Sequence, residues 1–223
     1  MASSQIKDLK DPSMMIEEET DSKIFQNGNY LPPSFKNQSY ELARDIIQYS
    51  IHGKNNVSPA PSHAAQAMRD LVDDMIADRT TMLASFAKRL NISDKTQLSL
   101  LTSVAEEMFS DDYVTWARIV SLHAFCGYVA KYCHNEKFIP NSAEEITDIL
   151  SNFVINRLGL WIVSQGSWKG FEKQFPNLCW TGPGLWKGIM VVGIFLGAIM
   201  SLYVFIHGTS SPEASSFPFS TLV

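Results

Sequence analysis

Cysteine is scarce in this sequence. Cys126, Cys133 and Cys179 are too few for a disulfide framework, and their odd number fits a reducing compartment. Charge is modest too: 18 Lys and Arg against 23 Asp and Glu leave a net charge of −5. There is no basic stripe, which excludes nucleic acid as an expected partner. Glycine-rich phosphate loops, nucleophile elbows, zinc-binding helices and paired-cysteine metal sites are all missing. Glu106-Glu107 and Asp111-Asp112 are acidic pairs whose neighbours point apart on a helix, toward solvent. His123 and His134 flank Cys126 and Cys133 at spacings that do not bring four ligands to one point. The two cysteines read instead as small hydrophobes of one buried helix. No enzyme, cofactor or metal is therefore expected. The N-terminal MASSQIKDLK lacks the apolar run of a signal peptide, so an intracellular body is expected. The sequons at Asn37, Asn56 and Asn91 would then go unused. Strand-like alternation of any length and internal repeats are also lacking.

What is present is helical periodicity. Residues 1–36 are acidic and polar and read as a disordered leader ending near Pro32-Pro33. A first helix is expected from about Ser39, with Leu42, Ile46, Ile47 and Ile51 on one face. Glycine and asparagine at 53–56 stop it, and Ser58–Ser62 is a linker. From Ser62 to Leu90 apolar residues keep a 3-4 rhythm, with a bend or break near Thr80-Thr81. Ser93 or Asp94 is placed to cap the next helix, whose inner face holds Leu98, Leu101, Val104, Ala105 and Met108. Ser110-Asp111-Asp112 offers the N-cap of a helix over Tyr113–Tyr132 that is apolar on nearly every side. Such a helix belongs at the centre of a bundle. Ser142 and Glu145 have capping-box spacing at the head of another helix running to about Leu160. Short helices around Trp161–Phe175 close a body expected over residues 37–178.

The plainest physical signal lies later. Gly188–Ile206 carries no charge over 19 residues, about 28 Å as a helix, close to the thickness of a bilayer core. Trp180, Trp186 and Lys187 before it, and Tyr203 and His207 at its end, are placed as interfacial anchors. Residues 185–207 are expected to form a C-terminal transmembrane helix, followed by a short tail over 208–223. The flanking charges leave open whether the membrane is the mitochondrial outer membrane, our first expectation, or the endoplasmic reticulum.

Three stretches in order carry a family resemblance. Thr115-Trp116-Ala117-Arg118-Ile119-Val120 resembles the Asn-Trp-Gly-Arg-Ile-Val of the first homology motif of the Bcl-2 family. Trp161 through Trp168, with Gln165 and Gly166, is similar to the Trp-x-x-x-Gln-Gly-Gly-Trp of the second. Met68-Arg69-Asp70-Leu71-Val72-Asp73-Asp74-Met75 resembles the Leu-x-x-x-Gly-Asp core of the third. Met108–Asp111, Tyr128–Lys131 and Ala143–Leu150 look most like the pro-survival myeloid cell leukaemia branch.

The resemblance implies an all-α bundle around the buried helix, with a groove for the amphipathic Bcl-2-homology-3 (BH3) helix of pro-apoptotic partners. By position, Leu83, Phe86, Leu90, Leu101, Val104, Met108, Leu122 and Phe125 would line it, and Arg118 would pair with the partner's aspartate. The alternative for Arg118 is an internal ion pair to Asp111, Asp112 or Asp73. Thr115 and Ala117 depart from the motif's asparagine and glycine at the groove. Met68, Leu71, Val72, Asp73 and Met75 form the internal third-motif helix; Val72 stands where a small residue is usual, which suits a packed helix better than an exposed killer helix. Trp161, Gly166 and Trp168 mark the second motif. The implied function is anti-apoptotic, restraining mitochondrial outer-membrane permeabilisation. The alternative is a pro-apoptotic pore-forming effector of the same fold. Implied partners are pro-apoptotic relatives and a membrane, with homo- or heterodimers within reach.

Overall fold

A computed structural model describes residues 30–137 and 139–175. The transmembrane helix expected at 185–207, the tail at 208–223, Cys179 and residues 1–29 of the leader lie outside the described residues. Among the described residues every regular element is helical. In chain order they are α1 (Pro33–His52), α2 (His63–Leu90), α3 (Leu100–Met108), α4 (Trp116–Tyr132), α5 (Ser142–Phe153), α6 (Gly159–Ser164) and α7 (Ser167–Gln174).

Helix α1 starts at Pro33, earlier than the Ser39 expected and inside the stretch assigned to the leader. The proline that reads as a stop is at home in the first helical turn, where its missing N–H has no partner to lose. Phe35, only 2% exposed, pins that turn into the core. Leu42, Ala43, Ile46 and Ile47 follow on the same buried face. Helix α2 begins at the Ser62 cap, whose hydroxyl accepts from Ala65 N–H at 3.1 Å. It bends at Arg79, where φ is −120°, one residue before the expected place. Thr80 Oγ1 donates back to the Ile76 carbonyl there, a contact that bends helices.

Three other starts differ from expectation. Asp94 does act as a cap, accepting from Thr96 N–H at 2.8 Å, but the helix it opens is a 3-10 turn, Lys95–Ser99, that feeds α3. The cap of α4 is Thr115, whose hydroxyl accepts from Arg118 N–H at 3.3 Å, and not Ser110–Asp112. Ser142 and Glu145 form no capping box: Asn141 is the cap residue, and Glu145 is drawn to Lys95 Nζ at 2.8 Å.

Helix α4 is the centre of the bundle, packed by α1, α2 and α5. Nearly every one of its residues from Arg118 to Ala130 is buried, as an all-apolar helix requires. Gly127 lets α1 approach closely: a Cβ there would lie 2.3 Å from Ser50 Oγ. Ser142–Ser164 runs through a π-turn at Val154–Leu158 and is long and apolar enough to cross a membrane. Its residues Ile146, Leu150, Val154, Leu158 and Ile162 are buried against the bundle, as in a core helix. Cys126 and Cys133 are buried and unpaired in disulfide terms. Burial pushes the thiol of Cys126 up to about 12 and that of Cys133 up to about 11, so neither is a nucleophile.

Candidate functional site

Helix α3 packs on α5 and α4, and α2 packs on α4. Leu83 and Phe86 from α2, Leu101, Val104 and Met108 from α3, and Leu122 and Phe125 from α4 all belong to the apolar core of the bundle. All seven are buried; Leu90 packs against them half-buried. Their helical spacing brings them together, since residues three, four and seven apart share a face. Thr115 and Ala117, both half-buried, stand at the head of α4.

Arg118 sits on the first turn of α4 and is 5% exposed. A guanidinium so far from water needs a counter-charge, and Asp111 supplies it. Nη1 donates to Oδ1 at 2.6 Å and Nη2 to Oδ2 at 2.8 Å. The internal pairing left open by the sequence is thus the one observed. The Arg118 hydrogen bond holds the Asp111 carboxyl down to about 2. Arg157 was not singled out beforehand: it donates to the Asp112 carboxylate and, at 3.2 Å, to the Phe109 carbonyl. Its partners lie 45 and 48 residues away, so no local spacing announces it. Together Arg118 and Arg157 hold the loop joining α3 to α4.

The third-motif helix is part of α2. Met68, Leu71, Val72 and Met75 face the core, with Met68 and Val72 fully buried. Asp73 is exposed and accepts a hydrogen bond from Tyr49 Oη of α1. In the second motif, Trp168 Nε1 donates to Ser39 Oγ of α1 at 3.0 Å. Trp161 packs edge-on to Trp116 with ring centroids 5.0 Å apart. Gly166 adopts φ +89° to turn α6 into α7, a conformation open to glycine. Among the described residues no cluster of three or more metal-ligating side chains occurs.

Residues 68–168 match the family model of the apoptosis regulator proteins of the Bcl-2 family. The chain is 28% identical over 157 residues to Bcl-2-related ovarian killer protein homolog A of Danio rerio, covering 61% of this chain and 71% of that one. It is 27% identical over 141 residues to Bcl-2-related protein A1 of Bos taurus, covering 61% and 79%. The fold is similar to that of the zebrafish pro-survival protein NRZ, solved in complex with Bad BH3. The TM-score is 0.58 at 25% identity, over 63% of this chain and 94% of that one. In family model, relatives and fold the chain is thus similar to apoptosis regulators of the Bcl-2 family.

Proposed function

We propose that this chain is a pro-survival regulator that takes the BH3 helix of pro-apoptotic partners into a groove between α2 and α3, floored by α4. So bound, the partner is kept from permeabilising the mitochondrial outer membrane. The observation that carries the reading is Arg118. It is a nearly buried cation at the head of the central helix, the helix that with α2 and α3 supplies the apolar residues that would line the groove. An amphipathic helix with apolar residues at helical spacing and one carboxylate is the complementary shape. The zebrafish relative solved with Bad BH3 supports that partner class. The third-motif helix of this chain is itself committed to the core through Val72 and tied to α1 through Asp73. That favours a receptor for such helices over a donor of one. Within the family we assign the chain to the myeloid cell leukaemia type on the stretches that resemble it. Residues 185–207 would hold the body at a membrane, the mitochondrial outer membrane first and the endoplasmic reticulum as the alternative.

The likeness to a protein named an ovarian killer favours one second reading, a pro-apoptotic pore-forming effector. One experiment separates the two. Full-length protein is titrated with fluorescently labelled Bad BH3 peptide and then added to dye-loaded liposomes with a pro-apoptotic effector. The pro-survival reading expects binding that weakens in Arg118→Ala, by less than the about 1.5–3 kcal/mol of a full hydrogen bond between charged groups because Asp111 already occupies Arg118, and protection from dye release. Release provoked by the protein alone would make it an effector.

A further inference from the structure

Arg118 does not stand open toward the groove. Its two terminal nitrogens are both taken by Asp111, at 2.6 and 2.8 Å, in the fork geometry with which arginine binds a carboxylate best. Tyr113, from the same loop, completes the cover. Its carbonyl accepts from Nη1, and its ring lies 5.2 Å from the guanidinium carbon. A partner carboxylate arriving at Arg118 therefore meets a site already filled by a carboxylate.

The loop is built so that this filling can be exchanged. At its start, Phe109 is fully buried, its ring 5.7 Å from that of Phe153. At its end, Thr115 caps α4. In its middle, Arg157 grips the Asp112 carboxylate and the Phe109 carbonyl. Asp112 itself lies in the left-handed region at φ +56°. These anchors hold the loop at both ends and in its middle; the Asp111 carboxylate adds one further backbone contact, accepting from Tyr113 N–H at 3.1 Å. The Asp111 side chain is 53% exposed, while Arg118's is 7% exposed. Rotation about its own bonds takes the Asp111 carboxylate into water; it gives up the exposed Tyr113 N–H to solvent, while Phe109, Arg157 and Thr115 still hold the loop. Arg118 cannot follow it, because it belongs to the buried helix.

We propose that Asp111 is an internal stand-in for the partner's carboxylate: it occupies Arg118 in the free protein, is displaced by the incoming helix, and so sets the affinity a partner must reach. The proposal rests on the groove-binding reading above. Swapping one carboxylate for another keeps Arg118 from being buried without a counter-charge in either state. It also shrinks the net gain from the partner's acid, since one charge-assisted contact is exchanged for another. Selection among partners then falls mainly on their apolar residues.

The test uses the full chain, as wild type, Asp111→Asn, Arg118→Ala and the double variant. Each is titrated with labelled Bad BH3 peptide and with the same peptide carrying alanine for the aspartate that would face Arg118. Asp111→Asn is expected to bind the parent peptide about fivefold tighter, the scale of a partly exposed ion pair no longer competing. It should bind the alanine peptide no tighter, and the gain should vanish when Arg118 is alanine. Asp111→Ala, checked for unchanged helix content by circular dichroism, should behave like Asp111→Asn. Wild type binding the parent peptide with no gain in either Asp111 variant would overturn the stand-in role and leave groove binding intact. Failure of wild type and every variant to bind either peptide would overturn the groove-binding reading, and the stand-in role with it.

Discussion

Arg69 of the third-motif helix and Asp45 of α1 form a forked ion pair sealed from water. Nε meets Oδ2 at 2.9 Å and Nη2 meets Oδ1 at 2.5 Å, with side chains 7% and 10% exposed. The remaining terminal nitrogen donates to the Ser58 carbonyl at 3.0 Å, and the guanidinium lies over the Tyr49 ring. One turn further along α2, Tyr49 Oη donates to Asp73. Burial, with the Asp73 carboxylate beside it, pushes the Tyr49 phenol well above its ordinary range, so it remains a donor. The segment that in other settings would be a ligand helix is fastened here to α1 by charge as well as by packing.

Removing Asp45 should therefore be severe. Asp45→Ala leaves the Arg69 guanidinium buried with one carbonyl as its hydrogen-bond acceptor, and a loss of about 3–5 kcal/mol is expected. Replacing both partners by apolar residues of similar volume, Asp45→Leu with Arg69→Met, should lose far less, because no charge is then stranded. Urea unfolding of the three proteins checks this. A loss below about 1 kcal/mol for Asp45→Ala would mean the pair is solvated like a surface bridge.

Ser167 offers a gain in stability. It adopts φ +60°, next to Gly166 at +89°, where the second homology motif has two glycines in succession. A side chain in the left-handed region costs about 1–2 kcal/mol through its Cβ, part of which glycine gives back in unfolded-chain entropy. Ser167→Gly is expected to raise the unfolding free energy by about 0.5–1 kcal/mol. Gly166→Ala should lower it by about 1 kcal/mol by placing a Cβ in the same region. A fall in the urea midpoint of Ser167→Gly would show that the hydroxyl, not the backbone, governs the turn.

The central helix was legible because apolar residues on all its faces admit only a buried position, and Arg118 to Ala130 occupy one. The bend in α2 was legible from paired threonines, one of which bonds back to the preceding turn. Helix ends were harder. Pro33 is a stop in the interior and a good first residue, and burial of Phe35 decided between those uses. For the candidate site, the resemblance named Leu83, Phe86, Leu101, Val104, Met108, Leu122 and Phe125 by position, and all seven lie in the apolar core of the bundle; helical periodicity by itself says less. It could not tell a residue that floors a groove from one that fills the core, since both are apolar at the same spacing. Arg118 could be placed on α4 and its three candidate acids named, but the choice of Asp111 depends on the loop's path. That path depends on Arg157, whose distance along the chain leaves no pattern to read.

His123 gives a pH dependence whose sign can be worked out. It is fully buried in α4; its Nδ1 donates to the Ile119 carbonyl at 2.7 Å, and its ring stands edge-on to Trp168, 6.3 Å between centroids. Nε2 has no hydrogen-bond partner, so the neutral ring is the form that fits. Burial pushes its pKa down from 6.5 to about 4. As pH falls below 6.5 the unfolded chain takes up a proton that the folded protein refuses until about pH 4. The unfolded state binds more protons throughout that window, so stability falls with pH and is fully present above it. The loss approaches about 3 kcal/mol at the lower end, at roughly 1.4 kcal/mol per unit of displacement. His123→Leu removes the titrating group and keeps an apolar side chain against Trp168. Unfolding free energies of wild type and His123→Leu are measured every half unit across the window, and the wild type should lose ground to the leucine variant steadily as pH falls, whichever is the more stable at pH 7. In either case the difference must change by about 3 kcal/mol in favour of leucine. Two parallel profiles would mean that the ring is reached by water or moves out of the core when it is charged.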